Sequence, residues 1–236
     1  MIRIHILKKI KCKENEKRII AGIDEAGRGP VIGPMIIAYV AMFEEDVDKL
    51  VNIEIKDSKE LTRARREELF EIIKGLAVYI SFAKIYPETI DEWVSKKKGL
   101  NALEAYTIAK LLEGIDLKPV IFIDAPSNVP SYRKYMELYL GKKFDMIIET
   151  KADKKWPIVM AAGIVAKVIR DREIDDIKKK TGIDLGSGYP SDPKTKIALP
   201  EIIRKFPSLV RKTWKTYKKT KSEANNSLDK FIEDAT

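Results

Sequence analysis

The sequence predicts an α/β protein: a mixed five-stranded sheet flanked by helices, with a small helical subdomain at the C-terminal end. Short runs rich in Ile and Val have the length of strands, and they alternate with segments whose apolar residues recur at helical spacing. Two strands come first and the alternation follows, which is typical of a mixed sheet with helices on its faces. A chain of 236 residues is long enough for one sizeable domain with a small appendage.

The elements follow in order along the chain. Strands are predicted for residues 19–24, 31–42, 77–86, 119–124 and 144–149. Helices are predicted for residues 62–76, 88–97, 101–113, 131–140 and 157–180. Thr62 is a suitable N-cap for the first of these helices. Residues 181–193 are rich in turn formers, and Pro200 and Pro207 interrupt the helical pattern of residues 196–220.

The chain is therefore divided into four parts. We expect a basic N-terminal extension (1–18), a core domain (19–180), a C-terminal loop with a helical subdomain (181–220), and a flexible polar tail (221–236).

Charge and composition narrow the range of functions. The net charge is +9, and Lys and Arg cluster in residues 94–98, 178–180 and 204–221. These clusters form either a solvated surface or a surface for a polyanion such as nucleic acid. The only cysteine, Cys12, allows no intramolecular disulfide, and no apolar run is long enough to span a membrane, so we expect a cytoplasmic protein. The only histidine, His5, lies in the extension, which argues against a histidine base.

Acidic residues follow two of the predicted strands. Asp24 and Glu25 are adjacent, and on a regular strand their side chains would point to opposite faces. Both can serve one site if the strand ends there, and Ala26-Gly27 supplies that break. Asp124 also ends a strand, where ligand sites of α/β sheets form, although it could be a solvated acid. Asp153 precedes a predicted helix, where an acid commonly serves as N-cap.

Taken together, these acids indicate an all-oxygen metal site. Several carboxylates at strand ends, without histidine or cysteine ligands, suit Mg²⁺ or Mn²⁺. Divalent cations would also explain how two acids are held side by side, since an uncompensated buried carboxylate is costly. In a basic protein, this pattern favours metal-assisted phosphodiester hydrolysis.

Six segments of the chain resemble the ribonuclease HII family, the type 2 ribonucleases H. They are GIDEAGRGPVIGP (22–34), DSKELT (57–62), IDA (123–125), KAD (151–153), AAGIVAKVIRDRE (161–173) and GSGYPSDPKT (186–195), in the family's order. The resemblance implies a ribonuclease-H-like fold for the core domain. It also implies endonucleolytic cleavage of the RNA strand of RNA–DNA hybrids and at single ribonucleotides in duplex DNA, leaving a 5′-phosphate and a 3′-hydroxyl.

The same resemblance implies which residues carry the chemistry. The family's four carboxylates, which act as metal ligands and catalytic acids, correspond to Asp24, Glu25, Asp124 and Asp153. One departure from the family pattern is Gly163, where many members have serine; we expect it to allow closer packing under the sheet. The segment Arg170-Asp171-Arg172 is expected to form local ion pairs on a helix.

Substrate contacts are implied for two loops and one lysine. Gly27, Arg28 and Gly29 match the segment that senses the ribose 2′-hydroxyl, the group by which a protein distinguishes RNA from DNA. Tyr189 matches the tyrosine that packs against the sugar on the 3′ side, and the C-terminal subdomain is expected to bind substrate. Lys59, in DSKELT, is either a phosphate contact or a solvated lysine.

The tail contains a segment similar to a sliding-clamp-binding peptide, the PIP box. In NNSLDKFI (225–232), Leu228 fills the aliphatic position and Phe231 the first aromatic position, whereas Asn225 and Ile232 depart from the pattern. The alternative is a tail with a chance apolar triplet. We expect RNA–DNA hybrid and ribonucleotide-containing DNA as partners, possible binding to the clamp (PCNA), no membrane, and a monomer.

Two other functions remain alternatives. Another ribonuclease-H-fold nuclease, such as a DNA junction resolvase, is disfavoured by the Gly-Arg-Gly segment and Tyr189. A catalytically dead hybrid-binding module is disfavoured by the intact set of carboxylates.

Overall fold

Runs of Ile, Val and Ala form the strands of a central mixed sheet. The computed structural model describes residues 1–10, 17–52, 61–126 and 128–223. The strands are β1 (Ile2–Lys9), β2 (Ile19–Ala26), β3 (Met35–Phe43), β4 (Tyr79–Ile85), β5 (Val120–Asp124) and β6 (Asp145–Glu149). Their order across the sheet is β1-β4-β3-β2-β5-β6. Because β2 is parallel to β5, and β5 to β6, the C-terminal ends of these three strands lie at one edge.

Helices cover both faces of this sheet. They are α1 (Glu44–Asn52), α2 (Arg63–Leu76), α3 (Pro87–Ser95), α4 (Gly99–Glu113), α5 (Val129–Tyr139), α6 (Ala152–Lys155), α7 (Pro157–Thr181) and α8 (Pro193–Lys205). Helices α1, α2 and α7 pack on one face, and α3, α4 and α5 pack on the other. Strand β3 contributes alternate residues to each of the two apolar clusters and is buried on both faces.

Helix α7 approaches β2 closely because Gly22 of β2 faces the helix and Gly163 of the helix faces β2. A side-chain carbon at Gly22 would overlap the carbonyl of Ile158, and one at Gly163 would overlap the carboxylate of Asp24. The expectation that Gly163 allows closer packing is therefore confirmed, and α7 continues unbroken through this residue. The helix lies directly beneath the C-terminal end of β2, where the predicted acids are found.

A small third apolar cluster lies mainly in the C-terminal part of the chain. Residues from α8, from the end of α7 and from the segment Val31–Ile32 pack together. Pro200 lies inside α8 without ending it, so the predicted interruption there is wrong; the helix ends at Lys205, before a 3₁₀ turn at Pro207–Leu209. Residues 215–223 are helical.

Three predictions about the elements need correction. The sheet has six strands, not five, because residues of the N-terminal extension pair with β4 as an antiparallel edge strand. The alternation of Ile2, Ile4 and Ile6 is a strand pattern, although Ile4 and Ile6 are exposed at this edge of the sheet. Residues 31–34 lie outside β3, because their backbone bonds to Gly188, Leu209 and Arg211 instead. Helix α1 was not predicted.

The remaining predicted helices and strands are confirmed to within a few residues, including the Thr62 cap, whose side chain accepts the N–H of Arg65 at 3.2 Å. No helix in the described ranges is long and apolar enough to cross a bilayer.

Candidate active site

A pocket of about 390 Å³ lies at the C-terminal ends of β2 and β5. The residues that line it are Asp24, Glu25, Ala26, Gly27, Arg28, Gly29, Arg66, Asp124, Asp153, Lys167, Arg170, Asp171 and Tyr189. The structure thus brings together eight of the residues predicted from sequence: the four carboxylates, the Gly-Arg-Gly segment and Tyr189. Lys59 and the tail residues Leu228, Phe231 and Ile232 lie outside the described residues.

The acidic side of the pocket is built from the ends of two strands and one short helix. Strand β2 ends at Ala26, as predicted, and Asp24 Oδ1 accepts the N–H of Glu25 at 2.7 Å. Asp124 Oδ1 accepts the N–H of Ala152 at 2.7 Å. This bond ties the end of β5 to α6, whose first turn carries Asp153. Asp124 thus helps to hold the short helix that carries Asp153.

Burial and mutual repulsion raise the pKa values of Asp24 and Glu25. Burial raises the pKa of Asp24 well above its ordinary value, Glu25 and Asp124 raise it further, and Lys167 lowers it only in part. The pKa of Glu25 is raised by burial and by Asp124, against the opposing effect of Arg28. Like charges held in a buried place disfavour their own ionisation. Without a cation, the carboxylates on the acidic side of the pocket therefore repel one another when they are ionised.

The acids share the pocket but are not arranged around a single point. In the described part of the chain, no three His, Cys, Asp or Glu side chains are grouped so that they could hold a metal ion. Repulsion between the carboxylates favours this spread arrangement, and hydrogen bonds to backbone N–H groups hold one oxygen of Asp24 and one of Asp124. Among the described residues, the acidic side chains that line the pocket, and that could bind a metal ion, all offer carboxylate oxygens.

The side chain of Arg28 is bound to helix α4 beneath the pocket. Its guanidinium forms an ion pair with Glu104 and donates to Asn101 Oδ1 at 2.6 Å. Glu104 is only 1 % exposed, and in the described residues its second oxygen has no hydrogen-bond partner. Burial and Glu25 raise the pKa of Glu104 to about 8, despite the ion pair.

The backbone of the Gly-Arg-Gly segment is held from behind by Arg211, which is completely buried. Its guanidinium donates to the carbonyl oxygens of Gly27 at 2.6 Å, Arg28 at 2.9 Å and Gly33 at 3.0 Å. Trp214 Nε1 donates to the carbonyl of Gly29 at 3.1 Å. Burial and the nearby Arg170 lower the pKa of Arg211 to about 9, so it stays charged at neutral pH.

The loop that presents Tyr189 is also fixed by hydrogen bonds. The N–H of Gly188 donates to the buried hydroxyl of Thr195 at 3.0 Å, and that of Ser187 to Asp192 at 2.7 Å. Arg170 Nη2 donates to the carbonyl of Ser187 at 2.8 Å, and its guanidinium carbon lies 5.0 Å from the centre of the Tyr189 ring. The Tyr189 side chain is 37 % exposed.

The Gly-Arg-Gly segment and the Tyr189 loop come close to each other at the pocket. A side-chain carbon at Gly29 would lie 3.5 Å from the ring of Tyr189. Asp171 and Arg172 form ion pairs, but with Arg66 at 2.8 Å and Glu67 at 2.6 Å on α2, so these pairs join two helices and are not local to one helix as predicted. The prediction is wrong for Arg170, which supports the tyrosine loop instead.

Comparison with known proteins decides the family. The family model for ribonuclease HII matches residues 21–217. This chain belongs to the ribonuclease HII family. It is therefore a ribonuclease H, a hydrolase that acts on phosphodiester bonds.

Curated relatives and solved structures agree with this placement. The chain is 43 % identical over 223 residues to ribonuclease HII of Pyrococcus furiosus, covering 90 % of this chain and 98 % of that protein. The crystal structure of ribonuclease H2 from Pyrococcus horikoshii OT3 is similar with a TM-score of 0.77 at 40 % identity, covering 87 % and 98 % of the two chains. A PCNA:RNase HII complex from Archaeoglobus fulgidus contains a chain that is similar with a TM-score of 0.73 at 42 % identity, covering 84 % and 95 %.

The residues that support this ribonuclease HII pocket were not predicted from the sequence. Glu104 had a detectable signal, because it is a lone acid in the otherwise apolar stretch ALEA of α4. Arg211 had none, because it stands in a run of basic residues of which the others are more exposed.

Proposed function

We propose that this protein is a Mg²⁺- or Mn²⁺-dependent endoribonuclease that cleaves the RNA strand of RNA–DNA hybrids and single ribonucleotides in duplex DNA. The products would carry a 5′-phosphate and a 3′-hydroxyl. The observation that supports this most is the meeting of four carboxylates with the Gly27–Gly29 segment and Tyr189 in one pocket. A hydrolytic centre and a sugar-reading surface then act on the same nucleotide.

The carboxylates fit divalent cations. Asp24, Glu25, Asp124 and Asp153 offer oxygen donors, as Mg²⁺ and Mn²⁺ prefer, and bound cations would relieve the repulsion that raises the pKa values of Asp24 and Glu25. When bound, such ions activate a water for attack and stabilise the leaving oxygen. The protein's part is to hold the acids at fixed strand ends and to place the scissile phosphate beside them.

The two loops select the nucleotide. Backbone groups of Gly27–Gly29 come within reach of a sugar because glycine leaves the surface open, and a 2′-hydroxyl is the group that marks a ribose. The exposed ring of Tyr189, resting near Gly29, offers an apolar surface for the next sugar, on the 3′ side. Lys59 stays a candidate phosphate contact.

One set of reactions separates this proposal from its alternatives. The protein is incubated with a DNA duplex carrying one ribonucleotide, an RNA–DNA hybrid, an all-DNA duplex and a four-way DNA junction, each with Mg²⁺, Mn²⁺ or EDTA. We expect cleavage of the ribonucleotide-containing duplex and the RNA–DNA hybrid only, and only when Mg²⁺ or Mn²⁺ is present. The products should carry a 5′-phosphate that a ligase can join. Cleavage of the junction would indicate a resolvase, and binding without cleavage would indicate a dead module.

We propose further that the tail tethers the enzyme to a sliding clamp. The Archaeoglobus fulgidus relative has been solved in a complex with PCNA. In this chain the candidate peptide is NNSLDKFI (225–232), whose Leu228, Phe231 and Ile232 share a face if it forms a helical turn. Tethering would raise the effective concentration of enzyme on DNA.

Deleting residues 223–236 should remove clamp binding and preserve cleavage of short substrates. The double variant Leu228→Ala, Phe231→Ala should do the same, measured by calorimetry against the organism's own clamp. The matched control is Asn226→Ala, Asp229→Ala, which alters two free positions of the motif. Clamp binding by the Leu228/Phe231 variant at wild-type affinity would exclude this role for the tail.

A further inference from the structure

The carbonyl oxygens of the Gly-Arg-Gly segment all accept hydrogen bonds from two residues near the C-terminal end, which form a cage around them. Arg211 binds the carbonyls of Gly27 and Arg28, and Trp214 binds that of Gly29. Arg211 does not line the pocket, whereas Gly27–Gly29 do. The segment therefore lies between the pocket on one side and the cage on the other.

The direction of a carbonyl determines the direction of the neighbouring N–H group. In a planar trans peptide the two groups point to opposite sides, and the described residues contain no cis peptide. The carbonyls of Gly27 and Arg28 point to Arg211, so the N–H groups of Arg28 and Gly29 point the opposite way. The peptide after Gly29 has no N–H, because residue 30 is proline.

We propose that Arg211 is a positioning residue that turns the N–H groups of Arg28 and Gly29 towards the pocket, where they donate hydrogen bonds to the ribose hydroxyl at the cleavage site. This inference rests on the proposed function. The side chain of Arg28 is already bound to Glu104 and Asn101, so its backbone is the part that reaches the substrate.

Arginine suits this task better than any other residue. Its planar fork of donors reaches three carbonyls at once, through Nε, Nη1 and Nη2, whereas a lysine ammonium is a single point. Burying a cation among neutral carbonyls is unfavourable, as the lowered pKa of Arg211 reflects. Such a costly arrangement at this place is explained if the orientation of the loop backbone is needed for function.

The segment that carries Arg211 is itself anchored. The N–H of Arg211 donates to the carbonyl of Val31 at 2.9 Å. Asp91 of α3 accepts the N–H groups of Lys212 at 2.7 Å and Thr213 at 2.9 Å, and the Thr213 hydroxyl at 2.6 Å. Asp91 thus connects α3 to the loop through Arg211.

The test compares cleavage of a duplex containing one ribonucleotide with binding of the all-DNA duplex of the same sequence. For Arg211→Lys we expect kcat/KM on the ribonucleotide substrate to fall at least about tenfold, since a buried donor set aimed at a hydroxyl is lost. Affinity for all-DNA duplex should stay within about twofold, because it depends on phosphate contacts. The surface substitution Arg204→Lys, on α8, is the matched control and should change neither quantity.

Trp214→Phe gives a sharper contrast. It removes the bond to the carbonyl of Gly29, whose peptide carries no N–H to orient, so kcat/KM should fall less than about threefold. If Trp214→Phe and Arg211→Lys lose the same activity, the loop needs only general support and the inference is wrong. The same follows if Arg211→Lys keeps wild-type kcat/KM, or if it loses all-DNA binding in proportion.

If Arg211→Lys does not unfold cooperatively, it is not properly folded, and the variant Asp91→Ala then provides the test of the inference. It leaves the guanidinium in place and loosens its anchor, so we expect a loss of about threefold or more in kcat/KM with all-DNA affinity retained. No loss would overturn the inference. If the wild-type protein cleaves no ribonucleotide substrate, the proposed function fails first, which is a separate result.

Discussion

The two sides of the pocket are held in opposite ways. The acidic wall, made of Asp24, Glu25, Asp124 and Asp153, brings together like charges whose burial raises the pKa values of Asp24 and Glu25. The loop wall, made of Gly27–Gly29 and Gly186–Tyr189, is held by hydrogen bonds that Arg211, Trp214 and Arg170 donate to it and by one that Thr195 accepts from it. In the absence of cations, the carboxylates of the acidic wall repel one another. The loop wall, in contrast, is held in place by hydrogen bonds within the protein.

Under the proposed function, this difference assigns two tasks to two walls of one pocket: the loop wall recognises the sugar, and the acidic wall holds the cations for hydrolysis. A surface that reads a neutral sugar must hold its donors in place, because hydrogen bonds depend on direction. A surface that holds cations can tolerate repulsion, because the charge of the ions offsets it on binding. Substitutions in the two walls should therefore have opposite effects on stability.

The largest effect is expected in the acidic wall. Asp124→Asn should reduce cleavage at saturating Mg²⁺ by at least about a hundredfold, because a metal ligand contributes several kcal/mol to transition-state stabilisation. Hybrid binding should be retained. The stability of the metal-free protein should be unchanged or higher, since a repulsive charge is lost while asparagine still accepts the N–H of Ala152.

Cleavage assays and thermal unfolding in EDTA check both expectations, with Asp116→Asn, an exposed acid, as control. Substantial residual cleavage would contradict the proposed role of Asp124. A clear loss of stability would contradict the view that the acidic wall is under repulsion.

The loop wall should respond in the other direction. Gly188 has φ of +82°, and a side-chain carbon there would lie 2.7 Å from the carbonyl of Ile32. Gly188→Ala should lower the free energy of unfolding by about 2–3 kcal/mol through backbone strain and overlap. Gly141→Ala, with nothing within 4 Å of the added carbon, is the control for urea unfolding. Equal stability of the two variants would show that the loop wall is not rigid.

Tyr189 tests what the loop wall reads. Tyr189→Ala should impair cutting at a single embedded ribonucleotide about tenfold more than cutting in a long hybrid, because the former depends on one junction and an aromatic contact with a nucleotide contributes about 1–3 kcal/mol. Tyr189→Phe keeps the ring and should cut both substrates nearly as well as wild type. An equal loss on both substrates for Tyr189→Ala would assign the ring to folding or general binding.

The smallest effect concerns Glu104, which lies between the two walls. Its folded-state pKa of about 8 is above its ordinary value of 4.5, so the folded state binds the proton more tightly than the unfolded state. Its contribution to stability is therefore complete below about pH 4.5 and is lost as the pH rises towards 8.

Glu104→Gln keeps an acceptor for Arg28 and cannot ionise. The decline in unfolding free energy between pH 4.5 and 8, in EDTA, should be smaller in this variant, because only the wild type loses the contribution of the protonated Glu104 carboxyl over this range. Glu113→Gln, an exposed acid on the same helix, is the control. A decline as steep as that of the wild type would show that Glu104 is ionised throughout this range.

The sequence by itself determined the α/β class, five of the six strands and the membership of the pocket. Local patterns carry this information: Ile and Val runs predict β2 to β6, and Asp24, Glu25 and Asp124 stand at strand ends whose direction follows from the order of elements. The Gly-Arg-Gly segment and Tyr189 were accessible because the six motifs resemble a family.

The tertiary structure alone decided how these residues are held. The alternating Ile2, Ile4 and Ile6 are compatible with a strand, but only the pairing with β4 places residues 2–9 at the edge of the sheet. Arg211 meets Gly27 across 184 positions of sequence, and its burial cannot be distinguished from the exposure of its basic neighbours until the chain is folded. Contacts between distant residues depend on packing rather than on local propensity, and the organised wall of this pocket consists of such contacts.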